Sequence, residues 1–147
     1  MSLSRQPPTA NRQPVLAIDL GARRIGIAFS DSGILATPHS VVRNEGDVVT
    51  KIARLGEELG AEEFVVGLPR RMHASAAERK YRDFAEALRQ RTCKPVVLWD
   101  ESLSTVEARE QLRSAGRRRR EVERDIDMHA AAVILQSFLD GQGGRTP

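Results

Sequence analysis

The sequence predicts an α/β fold with a mixed five-stranded sheet flanked by helices, and three observations predict it. Three strand-length runs follow one another over Pro14 to Val42, joined by short turns. From Val48 onward the hydrophobic period changes, and helix-spaced stretches alternate with two further short apolar runs. Closely spaced strands pair antiparallel, whereas strand–helix–strand units require parallel pairing with right-handed crossovers.

Each element has its own warrant. Pro14 to Asp19 carries Val15, Leu16, Ala17 and Ile18 in a row and turns at Gly21, as a buried strand does. Arg24 to Phe29 alternates Ile25, Ile27 and Phe29 with Gly26 and Ala28, a second strand. Ser30-Asp31-Ser32-Gly33 is a turn. Ile34 to Val42 is a third strand, which Pro38 confines to an edge or breaks. Val48, Ile52, Leu55 and Leu59 keep helical spacing, and Gly60 stops the helix. Glu63 to Gly67 is a short buried strand ended by Pro69. Ala77, Tyr81, Phe84 and Leu88 form the stripe of a second helix, and Pro95 to Trp99 is the fifth strand. Ser104 and Glu107 stand at capping-box spacing and open a third helix that ends near Gly116. The last helix runs from about Ile126 to Leu139. This order is that of the ribonuclease H-like fold, as one domain over residues 14–140. Residues 1–13, rich in Ser, Pro, Gln and Asn, read as a disordered arm, and residues 141–147 as a flexible tail.

Composition narrows the function. Aromatics make up only 4% of the 147 residues, so the core is aliphatic. The formal net charge is +3 and the pI about 9.6. The cations are mostly arginine, whose planar fork grips two phosphate oxygens, so the surface favours polyanions. Cys93 is the single cysteine, which excludes an intramolecular disulfide and a thiolate zinc site and fits a reducing cytoplasm. No apolar stretch approaches the length of a membrane span, and no phosphate-binding loop of the G-x-x-x-x-G-K type occurs.

Three segments end or begin in acid: V-L-A-I-D-L-G around Asp19, V-V-L-W-D-E around Asp100 and Glu101, and D-I-D-M-H-A-A-A-V-I-L-Q around Asp127. Asp19 shares a strand face with Val15 and Ala17, where a carboxylate is costly unless paired or metal-bound. Asp100 and Glu101 are neighbours on an extended strand and point to opposite faces, so one of them enters a shared site. Asp127 shares a helical face with Ala130, Ala131 and Ile134, and the small alanines let that helix approach the sheet. Asp125 faces elsewhere. Each acid has a plainer explanation: a turn residue at Asp19, helix-start acids at Asp100 and Glu101, a dipole-favoured first-turn acid at Asp127. Their joint occurrence, in an order that suits one fold, favours a hard-oxygen cage for Mg²⁺ or Mn²⁺. Two such ions, about 3.5–4 Å apart, activate a water and stabilise the leaving oxygen of a phosphodiester.

The arginines fit the same picture. Arg117, Arg118, Arg119 and Arg120 form a tetrad between Gly116 and the Asp127 helix, Arg23 and Arg24 follow Asp19, and Arg70 and Arg71 follow a strand end. Solvated loops explain charge runs equally simply, but these positions lie close in sequence to the acids or at a strand end, where phosphate would be gripped. His39, His73 and His129 are isolated, and Trp99 reads as core rather than as a base-stacking platform.

The blocks I-D-L-G-A-R-R-I-G-I-A-F-S-D, V-V-G-L-P, D-E-S-L-S-T-V-E-A-R and D-M-H-A-A-A-V-I-L-Q together resemble the YqgF/RuvX family, over Val15 to Leu139 and in family order. The resemblance implies a ribonuclease H-like protein related to the junction resolvase RuvC, acting in pre-16S rRNA processing or junction resolution. It implies acidic positions at Asp19, Glu101 and Asp127, and selects Glu101 over Asp100, which remains the fallback. Two departures stand out: Ser102 replaces an arginine of the family's D-E-R-L block, and Arg71-Met72-His73-Ala74 replaces N-M-D-G after G-L-P. The expectation is a cytoplasmic, metal-dependent nuclease whose partner is nucleic acid, as monomer or homodimer, with no membrane partner. A non-catalytic adapter in ribosome maturation or transcription is the competing class. An actin-like ATPase ranks below both, because the chain is too short for two lobes.

Overall fold

The computed structural model describes residues 12–69, 76–101 and 119–144, with the side chains at 101, 119–125 and 142–144 excepted. Strands β1 (Val15–Leu20), β2 (Arg24–Ser30) and β3 (Thr37–Arg43) form an antiparallel meander, and β4 (Glu63–Pro69) and β5 (Val96–Glu101) extend it in parallel from the other side of β1. The order across the sheet is β3-β2-β1-β4-β5. Helices α1 (Val48–Leu59) and α2 (Glu78–Thr92) pack together on one face, and α3 (Arg119–Gly144) crosses the other. The mixed sheet flanked by helices is the architecture expected.

Strand alternation divides the core in two. Leu16, Ile18, Leu20, Ile25, Ile27, Phe64 and Val66 face α1 and α2, whereas Val15, Ala17, Ala28 and Val65 face α3. Both faces of β1 are covered, which explains its unbroken apolar run. Each large aliphatic side chain buried there contributes about 1.5–3 kcal/mol of transfer free energy. The α3 side is lined by alanines and valines, so the helix lies close; Ala130, Ala131, Ile134 and Leu135 are its buried contacts. Helix α1 is capped by Asp47, whose carboxylate accepts from the Thr50 hydroxyl at 2.7 Å and from the Thr50 N–H at 3.1 Å, and these bonds hold it below its ordinary pKa. Gly60 ends it in the left-handed conformation.

The boundaries that differ most from the sequence reading are those of β3, β5 and the last helix. β3 begins at Thr37 rather than Ile34, because the backbone of 34–36 bonds to a side chain of α3 instead of a strand. The Gln136 amide accepts from the Ala36 N–H at 2.9 Å and donates to the Ile34 carbonyl at 2.9 Å. Pro38 does lie on the edge strand, at the point where the β2–β3 register shifts. β5 continues through Asp100 to Glu101, paired with Leu68 and Pro69. Helix α3 is longer at both ends than Ile126 to Leu139: it starts at Arg119 and runs to Gly144, so residues 141–144 are helical rather than tail. The expected helix from Ser104 to Gly116 lies outside the described residues, as do residues 1–11.

Candidate active site

The β1–β2 turn sets the first part of the site. Leu20 pairs with Ile25, and the Gly21 N–H donates to the Arg24 carbonyl at 3.1 Å, leaving Ala22 and Arg23 as a two-residue turn. Asn44, just beyond β3, braces it: its backbone N–H donates to the Arg23 carbonyl and its side-chain amide to the Gly21 carbonyl, both at 2.8 Å. Arg23 is exposed at the tip, and Arg24 opens β2.

Asp19 lies opposite Gly26 in the β1–β2 ladder. Directly opposed residues of an antiparallel pair send their side chains to the same face. For Asp19 this is the face of Val15 and Ala17, which is the face α3 covers. At this rung α3 comes down onto the sheet. A Cβ on Gly26 would stand 2.0 Å from the backbone carbonyl oxygen of Asp127 and 2.5 Å from its carbonyl carbon. Gly26 is therefore the gap that admits the helix, and it brings the start of the buried part of α3 to the rung of Asp19. Two residues earlier on the same strand face, the Arg24 Nε donates to Asp127 Oδ2 at 2.6 Å. Both groups are partly exposed, the Asp127 carboxylate less so than the guanidinium.

The period of β5 assigns the acidic pair. Val97 and Trp99 pack against the α3 side and Leu98 against the α1–α2 side. By alternation position 101 belongs with Val97 and Trp99, and Asp100 with Leu98. Asp100 is exposed. The backbone thus favours position 101 on the face that carries Asp19 and Asp127. Trp99 belongs to the packing, as expected: it meets Phe138 edge to face at 5.2 Å, and its Nε1 donates to Ser137 Oγ at 3.1 Å.

The predicted residues are therefore brought together in part. Asp19, Asp127, Arg23 and Arg24 gather at one end of the sheet. Arg119 and Arg120 stand in the first turn of α3 rather than in a preceding loop. Arg70, Arg71, His73, Ser102, Arg117 and Arg118 lie outside the described residues. Among the described residues no group of three histidine, cysteine or carboxylate side chains is gathered for a metal; the third member would be Glu101, whose side chain is not among them. The donor chemistry fits a hard divalent cation: Asp19 and Asp127 both offer carboxylate oxygen, and the Asp127 backbone rests on Gly26, the ladder partner of Asp19. Sequence reasoning missed Gly26 and the Arg24–Asp127 pair. A glycine inside a strand was the available signal, since it often marks a close backbone approach.

The strand order and the meander-plus-parallel pairing define a protein of ribonuclease H-like fold. Solved structures agree: the chain is similar to Thermus thermophilus RuvC in complex with a Holliday junction substrate (TM-score 0.56, 16% identity, 91% of this chain and 98% of that one). It is also similar to RuvC of the same organism in another structure (TM-score 0.53, 15% identity, 92% and 99%). The chain belongs to the RuvX family, a family of nucleases, whose profile, described as Holliday junction resolvase, matches residues 13–141. Among its relatives, a protein of Anaeromyxobacter sp. (strain Fw109-5) named "Putative pre-16S rRNA nuclease" is 47% identical over 134 residues, covering 86% of this chain and 96% of that one. One of the same name from Mycobacterium tuberculosis (strain ATCC 25618 / H37Rv) is 48% identical over 132 residues, covering 85% and 77%. No helix among the described residues is long and apolar enough to cross a membrane.

Proposed function

We propose that this chain is a metal-dependent nuclease that hydrolyses phosphodiester bonds, with the 5′ end of pre-16S rRNA as its substrate and junction or single-stranded DNA as the alternative. The observation that carries the reading is that the Asp127 backbone rests on Gly26, the ladder partner of Asp19. The names of the relatives and the description of the family support the substrate class.

Asp19, Asp127 and Glu101 would hold Mg²⁺ or Mn²⁺, Asp19 from the strand face, Asp127 from the helix and Glu101 from the end of β5. When bound, such ions lower the pKa of water and neutralise charge on the leaving oxygen. The protein's share is geometric. The β1–β2 ladder fixes the rung of Asp19, the gap at Gly26 sets the height of α3, and the Asn44 brace holds the Arg23 turn beside the acids. Arg23, with Arg70, Arg71 and the tetrad from Arg117 to Arg120, would orient the phosphate backbone.

The test is Asp19→Asn against precursor rRNA, single strands and four-way junctions, each with Mg²⁺ and with Mn²⁺. Cleavage is expected to fall by more than a hundredfold, because residues that merely support metal ligands already cost about 10–100-fold. Binding of nucleic acid persists. A wild-type protein that binds these substrates and cuts none of them with either ion would establish the adapter class instead.

A further inference from the structure

The contact between Arg24 and Asp127 joins residues 103 positions apart, and Arg24 lies two residues from the glycine on which the Asp127 backbone rests. We propose that Arg24 is the resident counter-ion of Asp127: it holds the ligand carboxylate while the site lacks metal, and competes with the incoming ion for that carboxylate. The proposal rests on the reading of Asp127 as a metal ligand.

The geometry argues for competition rather than simple support. The Arg24 Nε takes Asp127 Oδ2 itself, at 2.6 Å, so the guanidinium sits on an oxygen that a hard cation would use. A positive charge at hydrogen-bond distance from a ligand carboxylate lowers the attraction that carboxylate offers a divalent ion. With 41% of its side chain exposed, Arg24 has room to swing away once the ion is in place. In its absence α3 would still be seated by the Gly26 gap, but the Asp127 carboxylate would lose this compensating charge beside Asp19. A cation supplied by the chain keeps the Asp127 carboxylate compensated until a metal arrives. Displaced from Asp127, the guanidinium remains at the mouth of the site, where a substrate phosphate is the natural anion to receive it.

Mn²⁺ titration calorimetry on the full chain tests this, with thermal melting in EDTA and in saturating Mn²⁺ as the second readout. Arg24→Gln is expected to bind Mn²⁺ about three- to tenfold more tightly than wild type. It should melt lower in EDTA, with much of the deficit recovered in Mn²⁺. Arg24→Lys keeps the charge and should retain an affinity near that of wild type. In an Asp127→Asn background, Arg24→Gln should lower the melting temperature in EDTA by clearly less than it does in the wild-type background. A merely structural role for Arg24 would lower stability with and without the ion and leave the affinity unchanged or weaker. That result overturns the proposal while leaving the metal site standing. Failure of the wild-type protein to bind Mn²⁺ or Mg²⁺ at all overturns both the proposal and the metal-dependent reading beneath it.

Discussion

At the scale of single residues, Gly26 carries more of the architecture than its size suggests. A strand position opposite Asp19 would tolerate almost any side chain were α3 not lying on it. Any Cβ there meets backbone atoms of Asp127, not a flexible side chain that could step aside. Gly26→Ala must therefore push the helix off the sheet at the candidate site. Overpacking of this kind typically costs about 1–3 kcal/mol, readable by urea denaturation, and Mn²⁺ affinity should fall with it because Asp127 retreats from Asp19. A variant with unchanged stability and metal binding would remove Gly26 from the argument. The faces of Asp19 and Asp127 were legible in the sequence, because strand and helix periods fix them once Val15, Ala17, Ala130 and Ala131 are recognised as core. The ion pair was not legible. Its partners are far apart in sequence, and the neighbours of Arg24 pointed only to phosphate.

At the scale of elements, α3 shows what periodicity can and cannot reveal. Its buried stripe starts at Ile126, and the residues from Arg119 to Asp125 are polar apart from Val122, so no apolar pattern announced the first two turns. Its far end was hidden differently. Gly141 and Gly143 look like a stop signal, yet Gly141 lies against the Trp99 ring, where a Cβ would be 2.8 Å from Cη2. Tertiary packing there overrides weak helix propensity. The Trp99 ring thus ties β5, and with it position 101, to the last turns of α3. Trp99→Ala should cost about 2–3 kcal/mol, less than the 3–5 kcal/mol of a fully buried Trp. Trp99→Phe keeps an aromatic ring at this position but loses the Nε1 bond to Ser137, worth about 0.5–1.5 kcal/mol, together with the far ring edge that lies on Gly141. Urea melts of both variants check the order. Equal losses would mean that the Nε1 bond and the far ring edge, rather than the aromatic contact with Phe138, secure the end of β5.

At the scale of the whole molecule, the cations are not spent alike. On α2, Arg82 pairs with Glu78 and Arg89 with Glu86, and elsewhere Lys94 pairs with Glu62 and Arg43 with Glu45. These pairs neutralise charge locally and contribute little to long-range attraction. The acids of the candidate site, by contrast, sit beside the arginine turn at 23–24, and Arg119 and Arg120 begin the helix that carries Asp127. If Arg117 to Arg120 grip backbone phosphate there, each contact releases counterions on binding. The slope of log K against log salt should then shrink by close to 0.9 for every arginine removed, or about 3–4 when all four become alanine. Fluorescence anisotropy of a duplex or precursor-rRNA fragment, titrated across a salt series, measures that slope directly. An Arg82→Ala control, which opens an internal pair on α2, should leave it almost unchanged. A slope that survives loss of the tetrad would make those arginines a solvated charge run, and the grip on phosphate would pass to Arg23, Arg70 and Arg71.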